Sequence, residues 1–198
     1  MEVTQRQMDI LRAAVKIIAN QGFRELTTKN MAKELNLTEA ALYRHFKSKH
    51  HILQTLLNYF MEISADFLNS INAMQVSPWQ KVELFVSNRL QFFKDDPDLS
   101  IVLFSEELYK NDPSLQEQLR NIMYQHRDNM TDLIRQAQAQ NEIKTPIEAS
   151  QLYIIMIGSM RHIITQWNVS TRNNDLIKEG NKLLSSIRTI FEYNDSHK

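Results

Sequence analysis

The stretch TTKNMAKELNLTEAALYRHFKSK, residues 27–49, decides the fold of this 198-residue chain. Thr27 and Thr38 are good helix N-caps, and each is followed by a short run with apolar residues at helical spacing. Asn36 stands between the two runs, and asparagine tolerates a left-handed backbone better than most residues do. The stretch therefore predicts two short helices joined by a tight turn, which is a helix-turn-helix.

The second helix of this pair is expected to expose polar side chains. Leu35, Leu37 and Leu42 are predicted to form the shared core, with the small Ala32 where the helices cross. An α-helix fits the major groove of B-DNA, which is about 12 Å wide. The first fifty residues carry nine Lys/Arg and five Asp/Glu, whereas the rest carry fourteen and eighteen. A basic head on an acidic body indicates a polyanionic partner for the head alone.

The rest of the chain is also predicted to be helical. It has only three glycines and four prolines, which favours long helices over turn-rich sheets. Helix starts are predicted at capping boxes and at acidic residues followed by proline: Thr4, Ser77, Asp96, Asp112 and Thr145, with Asn173 or Asn174 before the last helix. We predict an all-α protein of about nine helices. A three-helix helix-turn-helix head, residues 1–48, precedes a helical effector-binding and dimerisation body, residues 49–198.

The same stretch resembles the TetR family of transcriptional regulators. The family pattern runs roughly TT-x-x-I-A and then G-V-S-x-G-x-L-Y-x-H-F-x-x-K-E. Here TTKNMA spans residues 27–32, and LYRHFKSK spans residues 42–49. Ala40 stands where the family has glycine, and His50 where an acidic residue is usual. Neither departure removes a phosphate contact, but both bear on the operator sequence.

The resemblance implies roles for eight residues of the head on double-stranded DNA. Those expected on backbone phosphates are Thr28, Tyr43, His45 and Lys49. Those expected on bases or adjacent phosphates are Thr38, Glu39, Ala40 and Arg44. Arg44 can pair with guanine, which is worth about 1–3 kcal/mol of discrimination. Glu39 can accept from a cytosine amino group, or it can cap its own helix, and capping is the favoured interpretation.

The middle helices predict a site for a small apolar or acidic effector. Their Phe and Met side chains can line an adaptable apolar cavity. Arg89 and His126 stand on apolar stripes, and buried polar groups need partners. An effector carboxylate or phosphate is one such partner, while internal salt bridges and surface exposure are the alternatives. The predicted effector-binding residues are Phe67, Phe85, Arg89, Phe104, Met123, His126 and Arg127.

The last two long helices predict a homodimer. The first of them is apolar on several faces, more than one packed face requires. The resemblance implies a four-helix bundle on a two-fold axis, from which palindromic operators follow. Packing within a single chain is the alternative. The predicted interface residues are Met156, Gly158, Met160, Ile164, Gly180, Leu184 and Ile187.

Other function classes find little support in the sequence. There is no cysteine, which fits a cytoplasmic protein, and no signal pattern or membrane-spanning run is expected. Without a glutamate-flanked helical His pair, a nucleophile elbow or a phosphate loop, we expect neither an enzyme nor a metal or other cofactor. The predicted function is a TetR-type regulator, a repressor that an effector releases from DNA. The alternative is a DNA-binding adaptor that responds to a protein partner and has no small-molecule pocket.

Overall fold

The structure, a computed structural model, describes residues 3–191. Within that range the chain forms ten α-helices and no strand. They are α1 (Gln5–Gln21), α2 (Thr28–Glu34), α3 (Glu39–Tyr43), α4 (Lys49–Ala73), α5 (Pro78–Asp95), α6 (Pro97–Leu103), α7 (Glu106–Tyr109), α8 (Pro113–Ala139), α9 (Ala149–Val169) and α10 (Leu176–Phe191). A 3₁₀ turn, Phe23–Glu25, follows α1. The all-α prediction is confirmed. Over the described range, no helix is long and apolar enough to cross a bilayer.

The helices belong to two compact units. The first contains the residues up to Ser64 together with Asp98–Ile122, and the second contains Ala65–Pro97 and the residues from Met123 onward. Helices α4 and α8 each contribute residues to both units. The division into a DNA-binding head and an effector body at residues 48 and 49 stays a prediction about function.

In the first unit, local capping fixes the helix-turn-helix as predicted. Thr27 Oγ1 accepts from the Asn30 N–H, and Thr38 Oγ1 accepts from the Ala41 N–H. Asn36 adopts the left-handed conformation with φ of 52°. The Leu37 N–H donates to the Ala32 carbonyl at 2.8 Å, and this hydrogen bond closes the turn. These bonds satisfy backbone groups that the short helices leave open.

The core of the first unit follows from the apolar stripes of its helices. The stripe of α1 packs against α2, and α2 packs against α3. The buried side chains at this junction include Ile10, Ile17, Met31, Leu42 and Phe46. Burial of each such side chain stabilises the fold by roughly 1.5–3 kcal/mol. The polar side chains of α3 are therefore carried on a fixed apolar base.

The second unit has its core between α5, α9 and α10. Trp79, Val82 and Val86 recur at helical spacing along α5 and are buried. The Trp79 and Phe191 rings meet edge to face with their centroids 5.7 Å apart. At Gly180 of α10 a methyl group would overlap the side chain of Leu90, so glycine lets α10 approach α5 closely.

Two helix starts differ from the prediction. A capping box beginning at Thr145 is wrong, because α9 starts only at Ala149, after Glu148, which makes no side-chain capping bond. Thr145 Oγ1 instead accepts from the Ile147 N–H, a local bond that competes with helix formation. An asparagine cap for α10 is also wrong. Asp175 Oδ1 accepts from the N–H of Ile177, and a carboxylate suits the positive end of a helix.

The short helix α7 is an addition to the predicted pattern, since about nine helices were expected. It has only four residues, too few for a recognisable apolar period. Leu108 and Tyr109 are nevertheless buried, and the Tyr109 hydroxyl donates to the Val102 carbonyl at 3.1 Å. This helix is therefore held by burial rather than by its own propensity.

Candidate DNA-binding surface and effector site

The recognition surface is carried by α3 and the residues on either side of it. Thr38, Glu39, Ala40 and Arg44 are exposed, and Tyr43 has 52% of its surface exposed. The side chains of Leu42 and Phe46 point into the core of the unit and are buried. The spacing thus sorts α3 into a buried apolar side and an exposed polar side. Tyr43 is not a core aromatic, whereas Phe46 is one.

Glu39 does not cap its own helix, contrary to the favoured sequence interpretation. The cap of α3 is the Thr38 hydroxyl, and Glu39 lies in the first helical turn. The Glu39 carboxylate instead accepts a hydrogen bond from the Thr28 hydroxyl, with 2.5 Å between Oε2 and Oγ1. This bond joins the first residue of α2 to the first residue of α3, so two of the predicted DNA contacts are partners of each other.

The first turn of α4 places Lys49 and His50 beside the head. Lys49 Nζ lies 5.8 Å from the centroid of the Phe23 ring. His50 Nδ1 lies 2.6 Å from Asp112 Oδ2, while the other oxygen of Asp112 accepts from the Leu115 N–H at the start of α8. The pKa of Asp112 is lowered, chiefly by that backbone hydrogen bond and further by Ser114 and His50. The histidine that departs from the family pattern therefore ties α4 to α8 within the first unit.

A cleft of about 720 Å³ opens next to this contact. Its lining includes Phe23, Arg24, Lys49 and His50, together with residues of α7 and the start of α8. None of the predicted effector-binding residues lines it. The apolar cluster predicted from the middle helices lies elsewhere.

That cluster surrounds Arg89 in the second unit. Arg89 has only 3% of its surface exposed, and its guanidinium carbon lies 5.3 Å from the Phe67 centroid and 5.5 Å from the Phe85 centroid. A third ring, Phe92, lies at 5.3 Å. Cations attract aromatic faces at such distances. Phe92 is one of the Phe side chains of the middle helices but is not in the predicted effector-binding set, although its position one turn after Arg89 indicates this contact.

His126 completes the cluster. Its ring centroid lies 5.6 Å from that of Phe85. Burial, assisted by the charge of Arg89, lowers the pKa of His126 to about 4. Burial also lowers the pKa of Arg89 to about 10. At neutral pH the site thus holds one charged guanidinium and one neutral imidazole among aromatic rings.

The remaining predicted effector residues are not part of the buried cluster around Arg89. Met123 and Arg127 are exposed on α8, within a turn of His126. Arg127 pairs with Asp128 at 2.8 Å and lies over the Tyr124 ring. Phe104 is half-buried in the first unit.

Most of the predicted interface residues are packed inside the protomer. Those buried within the single chain are Met156, Met160, Ile164, Gly180, Leu184 and Ile187. Gly158 is exposed, with no atom within 4 Å of the position that a methyl group would take. The exposed apolar side chains on these helices are instead Ile154, Ile155 and Val169 on α9 and Ile190 on α10. The sequence could not make this distinction, because α9 is apolar on several faces.

No group of three His, Cys, Asp or Glu side chains able to hold a metal ion is found among residues 3–191.

The head and its exposed α3 define a helix-turn-helix DNA-binding protein. Residues 10–56 match the model for bacterial regulatory proteins of the tetR family, and residues 53–188 match the model for the YsiA-like protein C-terminal region. The chain belongs to the TetR family of transcriptional regulators.

The similar proteins include a nucleoid occlusion factor and a fatty acid metabolism regulator. The nucleoid occlusion factor SlmA of Vibrio cholerae is 23% identical over 156 residues, 78% of this chain and 80% of that protein. The fatty acid metabolism regulator protein of Bacillus subtilis is 22% identical over 179 residues, 90% of this chain and 92% of that protein. The crystal structure of FadR from Bacillus subtilis with stearoyl-CoA superposes with a TM-score of 0.76 at 20% identity, covering 94% of this chain and 99% of that one.

Proposed function

We propose that this regulator is a homodimeric repressor that binds a palindromic operator and is released by a ligand with a long apolar chain and an acidic group. The observation that carries the DNA-binding part is the exposed polar side of α3 on a buried apolar base. The proposed contacts are Thr28, Thr38, Glu39, Ala40, Tyr43, Arg44, His45 and Lys49. It acts in the cytoplasm, where bacterial operators lie.

The proposed contacts divide by chemistry. Tyr43, His45 and Lys49 offer hydroxyl, imidazole and ammonium groups, which suit phosphate oxygens and fix the register of the protein on the duplex. Ala40 on α3, with Thr38 and Arg44 at its two caps, faces the groove, where base edges can be read. A guanidinium fits the two acceptors of guanine, and a methyl group fits the methyl of thymine. Specificity is therefore expected from α3, and much of the affinity from the flanking groups.

The proposed dimer uses the outward sides of α9 and α10. Ile154 and Ile155 are exposed there with Gly158, and Ile190 is exposed on α10. Exposed apolar side chains such as these suit an interface between subunits, where they become buried. Gly158 allows a partner helix to approach closely. The buried residues that were predicted for the interface contribute indirectly, because they pack α9 and α10 against α5 in each protomer.

The proposed effector site is the aromatic cluster around Arg89 and His126. Rings of Phe67, Phe85 and Phe92 suit an acyl chain, and the guanidinium suits a carboxylate or phosphate oxygen. Stearoyl-CoA, the ligand in the similar structure from Bacillus subtilis, has both chemical features. Since Phe85 and Arg89 are almost fully buried, ligand entry requires side chains of the cluster to move. Met123 and Arg127, within a turn of His126, complete the proposed set, whereas Phe104 belongs to the first unit and stays a prediction.

Release follows if the ligand prefers the conformation that does not fit the operator. A ligand shifts an equilibrium only by the difference between its affinities for the two states. Helix α4 begins at Lys49 in the first unit and includes Phe67 in the second, so we propose that it carries a movement of the cluster to the head. The sign we propose is release, which makes the protein a repressor relieved by its ligand.

The test measures operator binding by fluorescence anisotropy while stearoyl-CoA is added. We expect release from wild type and at least tenfold weaker response in Arg89→Ala. Arg135→Ala, which removes an exposed cation of α8 paired with Asp132, should respond as wild type does. Operator affinity without ligand reports whether each variant is folded. An equal response of Arg89→Ala and wild type would exclude Arg89 as the anchor.

The similarity to the nucleoid occlusion factor favours a second candidate function. In that case the body binds a protein partner rather than a small molecule, and DNA binding is a means of placing the partner. The titration with stearoyl-CoA distinguishes the effector function from the adaptor function. If neither stearoyl-CoA nor free long-chain fatty acids change the melting temperature or the operator affinity, the effector proposal fails and the adaptor function is favoured.

A further inference from the structure

The hydrogen bond between Thr28 and Glu39 links the two helices of the helix-turn-helix at their N-terminal ends. It is short, at 2.5 Å, as expected when the acceptor is a charged carboxylate. Both residues are accessible, Glu39 being exposed and Thr28 half-buried. The bond therefore lies on the surface that is proposed to meet DNA.

A threonine hydroxyl carries one proton and donates one hydrogen bond. While Thr28 donates to Glu39, it cannot also donate to a DNA phosphate. The phosphate contact that the family resemblance assigns to Thr28 therefore cannot use the hydroxyl proton while this bond is present. Glu39, in turn, is an acceptor only, and a carboxylate is repelled by the phosphates on either side of the groove. Each side chain needs another explanation.

The base edges in the major groove offer an explanation for Glu39. Guanine presents acceptors there, thymine presents an acceptor and a methyl group, and adenine presents an acceptor beside its amino group. Cytosine presents its amino donor alone. A carboxylate held at the first residue of the recognition helix thus finds an attractive partner in cytosine and meets repulsion from an acceptor at every other base.

We propose that Glu39 is a specificity-determining residue that accepts from a cytosine amino group, and that Thr28 is the positioning residue that aims its carboxylate. The inference depends on the proposed function, in which α3 enters the major groove. A wrong base leaves the carboxylate desolvated against acceptors, so Glu39 rejects incorrect sites as well as recognising the correct one. Because it also repels phosphates, Glu39 lowers affinity for random DNA.

The test selects bound duplexes from a random library with wild type, Glu39→Ala, Thr28→Val and Thr28→Ser. Wild type should enrich a C·G pair at one position of each half-site, with about tenfold preference over other pairs, within the usual discrimination of a direct base contact. In Glu39→Ala the preference at that pair disappears while the rest of the site is kept, and affinity for random duplex rises. Thr28→Val should weaken the preference at the same pair, and Thr28→Ser should restore it.

Glu34→Gln is the matched charge control. Glu34 lies on α2 and pairs with Lys16 at 2.6 Å, so this variant should leave every base preference unchanged. The double variant Thr28→Val/Glu39→Ala should show the selectivity of Glu39→Ala alone, because a positioning residue has no effect once its partner is gone. Thr28→Ala in place of Thr28→Val should give the same result.

Three outcomes would overturn the inference. One is an unchanged C·G preference in Glu39→Ala. Another is a loss of affinity in Thr28→Val that is equal for all sequences and persists in the double variant, because it would mark the hydroxyl as a phosphate contact. The third is enrichment of no sequence by wild type itself, and only that result also removes the proposed function.

Discussion

Replacing His126 by leucine should make the protein less sensitive to acid. Burial lowers the pKa of His126 from 6.5 to about 4 in the folded protein, whereas the unfolded chain keeps the ordinary value. Between those two values the unfolded chain binds more protons, so the free energy of unfolding falls as the pH falls through 6.5. Across the full interval between these two pKa values, His126 lowers the free energy of unfolding by about 3 kcal/mol, since one pKa unit is about 1.4 kcal/mol.

The assay is urea unfolding at fixed protein concentration from pH 7.5 to pH 5, a range above the titration of most carboxylates. As the pH falls over this range, titration of His126 should lower the free energy of unfolding of wild type by about 2 kcal/mol, by the same linkage. His126→Leu should lack that loss, and the difference between the two curves cancels contributions that they share. His162→Gln, which removes an exposed histidine of α9, should follow the wild-type curve.

Parallel curves for wild type and His126→Leu would refute this reasoning. They would mean that His126 is as accessible to protons in the folded protein as in the unfolded chain. The aromatic cluster around Arg89 would then be open to water, and its proposed role as an apolar effector site would lose its physical basis.

Three other predictions concern the groove, the core and the dimer. Arg44→Ala should weaken binding to the selected operator by about 1–3 kcal/mol in fluorescence titrations and relax selection at one guanine; unchanged selectivity would contradict a base contact. Gly180→Ala should lower the free energy of unfolding by roughly 1–3 kcal/mol because its methyl group overpacks a buried leucine, whereas the exposed neighbour Asn181→Ala should not. Ile155→Asp should give monomers in light scattering, while Val76→Asp should keep the mass of wild type, and a persistent dimer in the first would exclude this face of α9.

The local features of the fold could be predicted because local chemistry determines them. The Thr27 and Thr38 caps and the left-handed Asn36 depend on hydrogen bonds and backbone preferences within a few residues. The start of α9 could not be predicted, because Thr145 has two local bonding choices and the sequence does not say which one is lower in free energy. The four-residue α7 is held by burial of Leu108 and Tyr109, which depends on tertiary packing.

The same distinction applies to the candidate sites. The exposed polar side of α3 follows from its spacing, and Arg89 stood out because a cation on an apolar stripe is rare. The partner of Glu39 could not be predicted, since Thr28 is eleven residues away and meets it only when α2 and α3 pack. For the dimer, apolar side chains on several faces of α9 meant that the sequence alone could not show which ones the protomer core buries. Met156 and Ile164 turned inward, and Ile155 turned outward.

The most direct measurement of the central claim compares the affinities of the protein for a duplex selected from random sequence and for a scrambled duplex of equal length, at one stated salt concentration. A sequence-specific regulator should bind the selected duplex at least about 10³ times more tightly, and the selected sequence should be palindromic. Equal affinity for the two duplexes would contradict the claim that this helix-turn-helix reads a specific operator.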